Sequence, residues 1–152
     1  MRAAFSSLLI AGLLLTGASR VYAADRALDD SAVLAAVSGG GDVRSIYNGY
    51  LVRRPDGSTA VWKRTYDGYT ANIDGRSVRL GRTYSGFNIS GLKNSSRVTA
   101  MHHGFVVHDV RGAATRWSKI YNGYQSVDAG ERVRLTSSYH GFHASRSPVP
   151  RR

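Results

Sequence analysis

Basic residues that recur at equivalent positions are the first candidates for a binding chemistry in this chain. Lys63, Arg79 and Arg134 alternate with apolar residues and stand among Thr, Ser and Asn side chains. Guanidinium and ammonium groups repeated on neighbouring strands bind sulfate, phosphate or carboxylate groups. The same pattern is also typical of a charged surface that protects strand edges. The sequence leaves both readings open for these residues.

A second basic set lies among apolar neighbours. Arg64, Arg82 and Lys119 occupy the same position in their repeats, on the apolar face. Such side chains either extend along apolar surface to a polar rim or line an anion site at the mouth of a barrel. Trp62 and Trp117 are candidate ligand-binding residues, because exposed rings pack against the C–H faces of sugars. Their apolar neighbours on the same face favour burial in the core as the alternative.

Neither catalysis nor metal binding is expected. Most acidic residues lie beside Gly at turns, where they set backbone geometry. The sequence contains no nucleophile elbow and no phosphate-binding loop. The five histidines fall into two groups, and adjacent residues such as His102 and His103 point to opposite faces of a strand. We expect no enzyme activity, no cofactor and no metal.

A six-fold repeat must position these residues. Each copy has four residues: an aromatic residue or His, a variable residue, Gly and a second aromatic residue. The glycines of successive copies are 18 or 19 residues apart. An Asn-Gly or Asp-Gly pair between strand-forming residues is a strong hairpin signal. We therefore expect Gly in a type I′ turn, with both aromatics of a copy facing inward as a clamp. The clamp residues are Tyr47, Gly49, Tyr50, Tyr66, Gly68, Tyr69, Tyr84, Gly86, Phe87, Gly104, Phe105, Tyr121, Gly123, Tyr124, Tyr139, Gly141 and Phe142.

The chain between the motifs predicts an all-β fold. Apolar and polar residues alternate with a period of two, which is typical of antiparallel strands with one buried side. An offset of 55 residues superposes Trp62 on Trp117 and Tyr66 on Tyr121. The sequence therefore predicts six antiparallel β-hairpin repeats in two 55-residue halves, closed as a barrel or sandwich. A solenoid of stacked hairpins is the alternative.

Segments outside the repeats divide the chain further. Residues 1–23 are typical of a signal peptide, with Arg2, a mostly apolar run over residues 3–16 and a small-x-small site ending at Ala23. Residues 24–41 suit a short helix with a Gly linker, 42–145 form the β-repeat domain, and 146–152 form a basic disordered tail. The apolar run is short for a bilayer, so we expect no transmembrane span in the mature chain.

The charge and the leader together predict a functional class. The 152-residue chain has a formal net charge of +11 and no cysteine. Such an excess favours polyanionic partners. We expect a secreted or periplasmic, non-catalytic protein that binds lipopolysaccharide or other anionic or neutral glycans at the cell envelope. The alternative is a structural, fibre-forming repeat protein that self-associates.

The leader generates a first testable prediction. We expect cleavage after Ala23, so that the exported protein begins at Ala24. Intact-mass measurement of the protein recovered outside the cytoplasm checks this, and a mass that retains residues 1–23 would contradict it.

Overall fold

Twelve antiparallel strands follow one another around a closed ring, and β1 completes the ring by pairing with β12. The computed structural model describes residues 28–151. The strands are β1 (Asp42–Ile46), β2 (Gly49–Arg53), β3 (Thr59–Thr65), β4 (Gly68–Ile73), β5 (Arg76–Thr83), β6 (Gly86–Ser90), β7 (Arg97–Met101), β8 (Gly104–His108), β9 (Ala114–Ile120), β10 (Gly123–Asp128), β11 (Glu131–Ser138) and β12 (Gly141–Pro148). The prediction of a closed barrel of hairpin repeats is confirmed. The solenoid alternative is wrong, because pairing of β1 with β12 leaves no open end to the array. The predicted signal peptide lies outside the described residues.

Side chains along the strands alternate between the interior and the surface. In β3, Ala60 and Trp62 are buried whereas Val61 and Lys63 are exposed, and the same alternation continues in the following strands. The inward set makes the core, and the outward set carries Thr, Ser, Asn and Arg. This is the period-two pattern of a sheet with one buried face.

Among residues 28–151 one short helix, α1 (Asp30–Val37), fills the barrel lumen. Its consecutive residues 32–35 have no solvent exposure, and four consecutive positions point in all directions around a helix. A helix buried on every side must lie inside the barrel. Eight strands leave an interior that side chains alone can fill, so twelve strands enclose a wider space, and α1 occupies it.

The two ends of α1 are held by different contacts. Asp29 caps the N-terminus by accepting from the backbone N–H groups of Ser31 and Ala32 at 3.1 and 3.4 Å. At the C-terminus, Gly40 donates its N–H to the Ala35 carbonyl at 2.8 Å. The glycines expected to form a flexible linker therefore make a hydrogen-bonded turn that leads out of the lumen into β1.

β12 is longer than the sequence indicated. It extends to Pro148, and its Arg146 pairs with Val133 of the neighbouring strand β11. Arg146 also forms a 2.9 Å ion pair with Glu131 and donates to the Gly39 carbonyl. Residues 146–148 are therefore part of the barrel and not of the expected disordered tail, because their backbone has a strand partner and one side chain has a carboxylate partner.

Turns at the two ends of the barrel have different chemistry. At one end, Asp74 and Gly75 connect β4 to β5 with φ values of 53° and 75°, as a type I′ turn requires. At the other end, the turn residues are the first two of each repeat motif, such as Tyr66 and Asp67, and neither has a positive φ. The prediction that Gly68 occupies a type I′ turn is therefore wrong.

Gly68 has another function at the start of β4. A Cβ at this position would overlap the carbonyl oxygen of Leu80 in β5, and the residue has a φ of 154°. A side chain here would push the two strands apart at this contact. The equivalent glycine of every repeat faces a neighbouring carbonyl in the same way, including Gly141 against Val43 at the closing seam.

This close approach predicts a contrast between two glycines that pair across strands. Gly68→Ala should lower the free energy of unfolding by about 2 kcal/mol or more, because both the backbone conformation and the contact become strained. Gly81→Ala, at the partner position, is the control, since a Cβ there meets nothing within 4 Å. Urea denaturation followed by tryptophan fluorescence measures both, and equal stabilities of the two variants would contradict the close-approach explanation.

Candidate functional site

The six motif turns place their first side chains in solvent at one end of the barrel. Five of these residues are tyrosines with 96–107% exposure, and the sixth is the exposed His102. We call this set the crown. Its members are Tyr47, Tyr66, Tyr84, His102, Tyr121 and Tyr139.

The second aromatic of each motif points the opposite way. Tyr50, Tyr69, Phe87, Phe105, Tyr124 and Phe142 line the lumen, and Tyr50 alone among them is only partly buried. Their rings contact one another, for example Phe105 and Tyr124 with centroids 5.4 Å apart. The expected inward clamp is therefore half wrong: each motif contributes one ring to the core and one to the crown. The reason is that the first aromatic is itself a turn residue, beyond the last pair of the strand ladder.

A ring of backbone hydrogen bonds fixes the crown in place. The second turn residue of each hairpin accepts from an N–H in the next hairpin, for example Asn48 from Arg64 at 2.9 Å. His140 closes the ring by accepting from Ser45 at 2.6 Å. Each crown residue is thus presented by a turn that is anchored to its neighbour and not by a long loop.

Three cations lie just inside the crown, at the last inward position of their strands. They are Arg64 in β3, Arg82 in β5 and Lys119 in β9. β3 and β9 are six strands apart in the ring, so Arg64 and Lys119 stand on opposite sides of a mouth roughly 24 Å across. The three side chains therefore do not converge on one small anion, as an anion site at the mouth would require; they surround the opening.

A partly buried polar cluster lies in the mouth. Asp30 of α1 accepts from the Tyr69 hydroxyl at 2.7 Å and from Arg82 at 2.6 Å. Burial, followed by the hydrogen bond and charge of Asp30, raises the pKa of Tyr69, so the phenol stays protonated and remains a donor. Arg82 is neutralised by this contact. Within the described residues, Arg64 and Lys119 have no carboxylate at ion-pair distance, so neither charge is neutralised by an ion pair. The neighbouring phenols of Tyr69 and Tyr50 raise the pKa of Arg64.

The outward basic residues are distributed around the wall. Lys63 and Arg79 flank Thr70 on adjacent strands. Arg79 is engaged by Asp67 at 2.5 Å, and Arg134 bonds Gln125 at 3.3 Å. β5 and β11 lie on opposite sides of the ring. The sequence-predicted candidates Lys63, Arg79 and Arg134 therefore form no single convex or concave site.

The two tryptophans lie in the core. Trp62 and Trp117 are 0% and 4% exposed, and Trp117 stacks on Phe105 with centroids 6.1 Å apart. They cannot present a ring to a ligand in this arrangement, so the core alternative describes both. Within residues 28–151 no group of three or more potential ligands is placed to hold a metal ion.

A cavity opens in the mouth between α1 and the crown. Its volume is about 440 Å³, and its lining includes Leu28, Asp29, Lys119, Asn122 and Tyr124. The N-terminus of α1 therefore lies at the crown end. Two cavities of about 450 and 460 Å³ lie at the opposite end. Both are lined by Ala36, near the C-terminus of α1, and by Gly39, which comes after the helix. The helix thus runs from the crown end to the opposite end.

Comparisons with known proteins give no family for this fold. No family model, no curated protein and no solved structure matches the chain. Among the described residues, no helix has the length and apolar character that crossing a membrane requires.

The structure places Arg64 and Lys119 near a rim, one of the two placements that the sequence left open, and sequence reasoning missed the crown. The usable signal was the second motif position, which holds Ser85, His103 and His140 in three copies. These residues fit the first position of a type I′ turn poorly. If the two-residue turn is placed one residue closer to the N-terminus, the first aromatic of each motif becomes a turn residue and points into solvent.

The ion pair at the second turn predicts a pH effect. The hydrogen bond from Arg79, and then its charge, lower the pKa of Asp67 below the ordinary value of 3.8. A depressed folded pKa means that the stabilisation is present above the unfolded value and is lost as pH falls through the folded pKa. NMR titration should place the Asp67 midpoint below 3.8, and Arg79→Ala should return it toward 3.8.

Asp56 provides the control for this titration. Its pKa is also lowered, but the cause is hydrogen bonding from Ser58. In Arg79→Ala its midpoint should stay low. An unchanged Asp67 midpoint in that variant would show that Arg79 is not responsible.

Proposed function

We propose that this protein is a secreted or periplasmic, non-catalytic binding protein for glycans or other polyanions at the cell envelope, and that the crown is its binding surface. The observation that carries the proposal is the placement of five fully exposed tyrosines on anchored turns at one end of the barrel. The other end presents no exposed aromatic ring among the described residues.

Folding does not account for the crown tyrosines. A side chain as exposed as Tyr66 or Tyr121 buries no surface against the protein, so it contributes little to the stability of the barrel. An exposed tyrosine on a fixed backbone offers a large contact area with few rotatable bonds to order. Its ring packs on the C–H face of a sugar while its hydroxyl forms hydrogen bonds.

The free cations of the mouth supply the charge complement. Arg64 and Lys119 lie beneath the crown without a carboxylate partner among the described residues, and the full chain carries +11. A sugar polymer that bears carboxylate, sulfate or phosphate groups would gain both ring contacts and ion pairs. Their spacing on opposite sides of the mouth suits an extended ligand and provides two points of attachment, which raises avidity.

Binding is favoured over catalysis by the use of the nearby carboxylates. Asp67 is paired with Arg79, Asp29 caps α1, and Asp30 is held by Tyr69 and Arg82. Each has a structural partner. A fibre assembled by strand addition is less favoured, because β1 and β12 close the described strand order and, at this seam, only the part of β12 beyond Phe142 lacks a strand partner on the β1 side.

Two multiple variants test the proposal, one in the crown and one in the mouth beneath it. We expect the triple variant Tyr66→Ala/Tyr84→Ala/Tyr121→Ala to bind an acidic polysaccharide at least about tenfold more weakly, because three ring contacts are lost. Arg64→Ala/Lys119→Ala should weaken binding and flatten its salt dependence. Titration calorimetry over a series of salt concentrations, after a glycan array has selected the polymer, provides the measurement.

A charge-matched variant supplies the control. Lys93→Ala/Arg111→Ala removes two exposed cations from the opposite end of the barrel and should leave affinity nearly unchanged. All three variants should unfold at the wild-type temperature, because none of these side chains belongs to the core. Equal losses in the control and in Arg64→Ala/Lys119→Ala would mean that binding follows net charge and not the crown.

A further inference from the structure

The described chain begins at the crown end of the barrel. Leu28 and Asp29 line the same cavity as Tyr121 and Asn122, and α1 runs from there toward the opposite end. Residues 1–27 therefore connect to the fold on the crown side. The apolar run that ends at Thr16 is separated from Leu28 by eleven residues, which reach at most about 40 Å when fully extended.

We propose that the crown docks onto a lipid bilayer with anionic headgroups, so that this end of the barrel faces the membrane. This docking rests on the function proposed above, and it identifies the polyanion that the crown binds as a surface of anionic lipid headgroups. Until the cleavage expected after Ala23, a leader held in a bilayer would keep the crown end within about 40 Å of it. The opposite end, where α1 finishes, is turned away from it.

The side chains of the crown have the chemistry of an interfacial surface. Tyrosine is enriched at membrane–water interfaces, because its ring enters the headgroup region while its hydroxyl stays hydrated. Ile46 and Met101, which immediately precede two of the tips, are 38% and 42% exposed and add apolar area at this end. Since the six tips come from successive hairpins around one end of a rigid ring, a flat surface contacts several of them at once.

Charge contributes to the attraction of the barrel to an anionic surface. At the crown end, Asp67 and Asp30 are paired with arginines, whereas Arg64 and Lys119 have no carboxylate partner among the described residues. The connections at the opposite end contain exposed carboxylates, such as Asp56 and Asp128, and also exposed cations, such as Lys93 and Arg111. A basic side chain near an anionic bilayer is attracted over about one Debye length. Because cations lie at both ends, the tyrosines of the crown are what select the end that docks.

Vesicle flotation tests this docking directly. The chain beginning at Ala24 is used, because it includes every described residue of the barrel and excludes the apolar leader. It should float with vesicles of phosphatidylcholine mixed with phosphatidylglycerol, float less with phosphatidylcholine alone, and dissociate as salt rises. Tyr66→Ala/Tyr84→Ala/Tyr121→Ala should lower the bound fraction several-fold, whereas Val110→Ala/Val127→Ala, which removes exposed apolar surface toward the opposite end, should not.

Orientation is measured with single labels, which the absence of cysteine makes simple. Ser85→Cys places an environment-sensitive fluorophore in a crown turn, and Ala113→Cys places it in a turn at the opposite end. Addition of the anionic vesicles should shift the emission of the Ser85→Cys conjugate to the blue and leave that of the Ala113→Cys conjugate unchanged. Equal shifts at both positions would overturn the proposed orientation.

A parallel measurement with a soluble acidic polysaccharide separates the two proposals. If the protein binds the polysaccharide through the crown but does not float with the vesicles, the glycan-binding function stands and the membrane docking is wrong. If it binds neither, both are wrong. Flotation that survives the triple tyrosine variant would also overturn docking through the crown.

Discussion

The close approach of a strand-initiating glycine to the carbonyl of the next strand is the constraint on which this structure depends. Each motif glycine faces such a carbonyl, and the preceding residue accepts a hydrogen bond from the next hairpin. This arrangement joins every hairpin to its neighbour and recurs where β12 meets β1. It also decides where the aromatics go. Because glycine begins the strand, the residue after it points into the lumen, and the first aromatic remains beyond the ladder in solvent.

The division of each motif between core and surface links stability to the proposed function. Inward rings such as Tyr69 and Phe105 pack around α1, which fills a lumen too wide for strand side chains alone. Asp30 ties the helix to β4 and β5 at the mouth. The same repeats display the crown on a rigid frame. A rigid display reduces the entropy lost when a ligand or surface is bound.

Particular residues show how far the sequence could be read. Period-two alternation assigned Ala60 and Trp62 to the interior and Lys63 to the wall, since this pattern needs only local geometry. The direction of Tyr66 could not be obtained in this way, because a shift of one residue in the turn reverses it. The helix was visible as an N-cap before an apolar run, but nothing in that run shows that it enters a barrel. The strand at residues 146–148 was also missed, since its Ser, Arg and Pro residues resemble a disordered tail and only pairing with β11 orders them.

The sequence by itself determined the repeat, the strand class, the twofold similarity of the halves and the inward face, because these follow from spacing and alternation along the chain. Tertiary structure alone decided three things: the closure of the ring, the entry of α1 into the lumen and the separation of Arg64 from Lys119 across the mouth. Each depends on contacts between residues far apart in sequence, such as Ser45 with His140. The crown depends on both the sequence and the tertiary structure. Its tyrosines recur in the sequence, but closure of the barrel brings them together at one end.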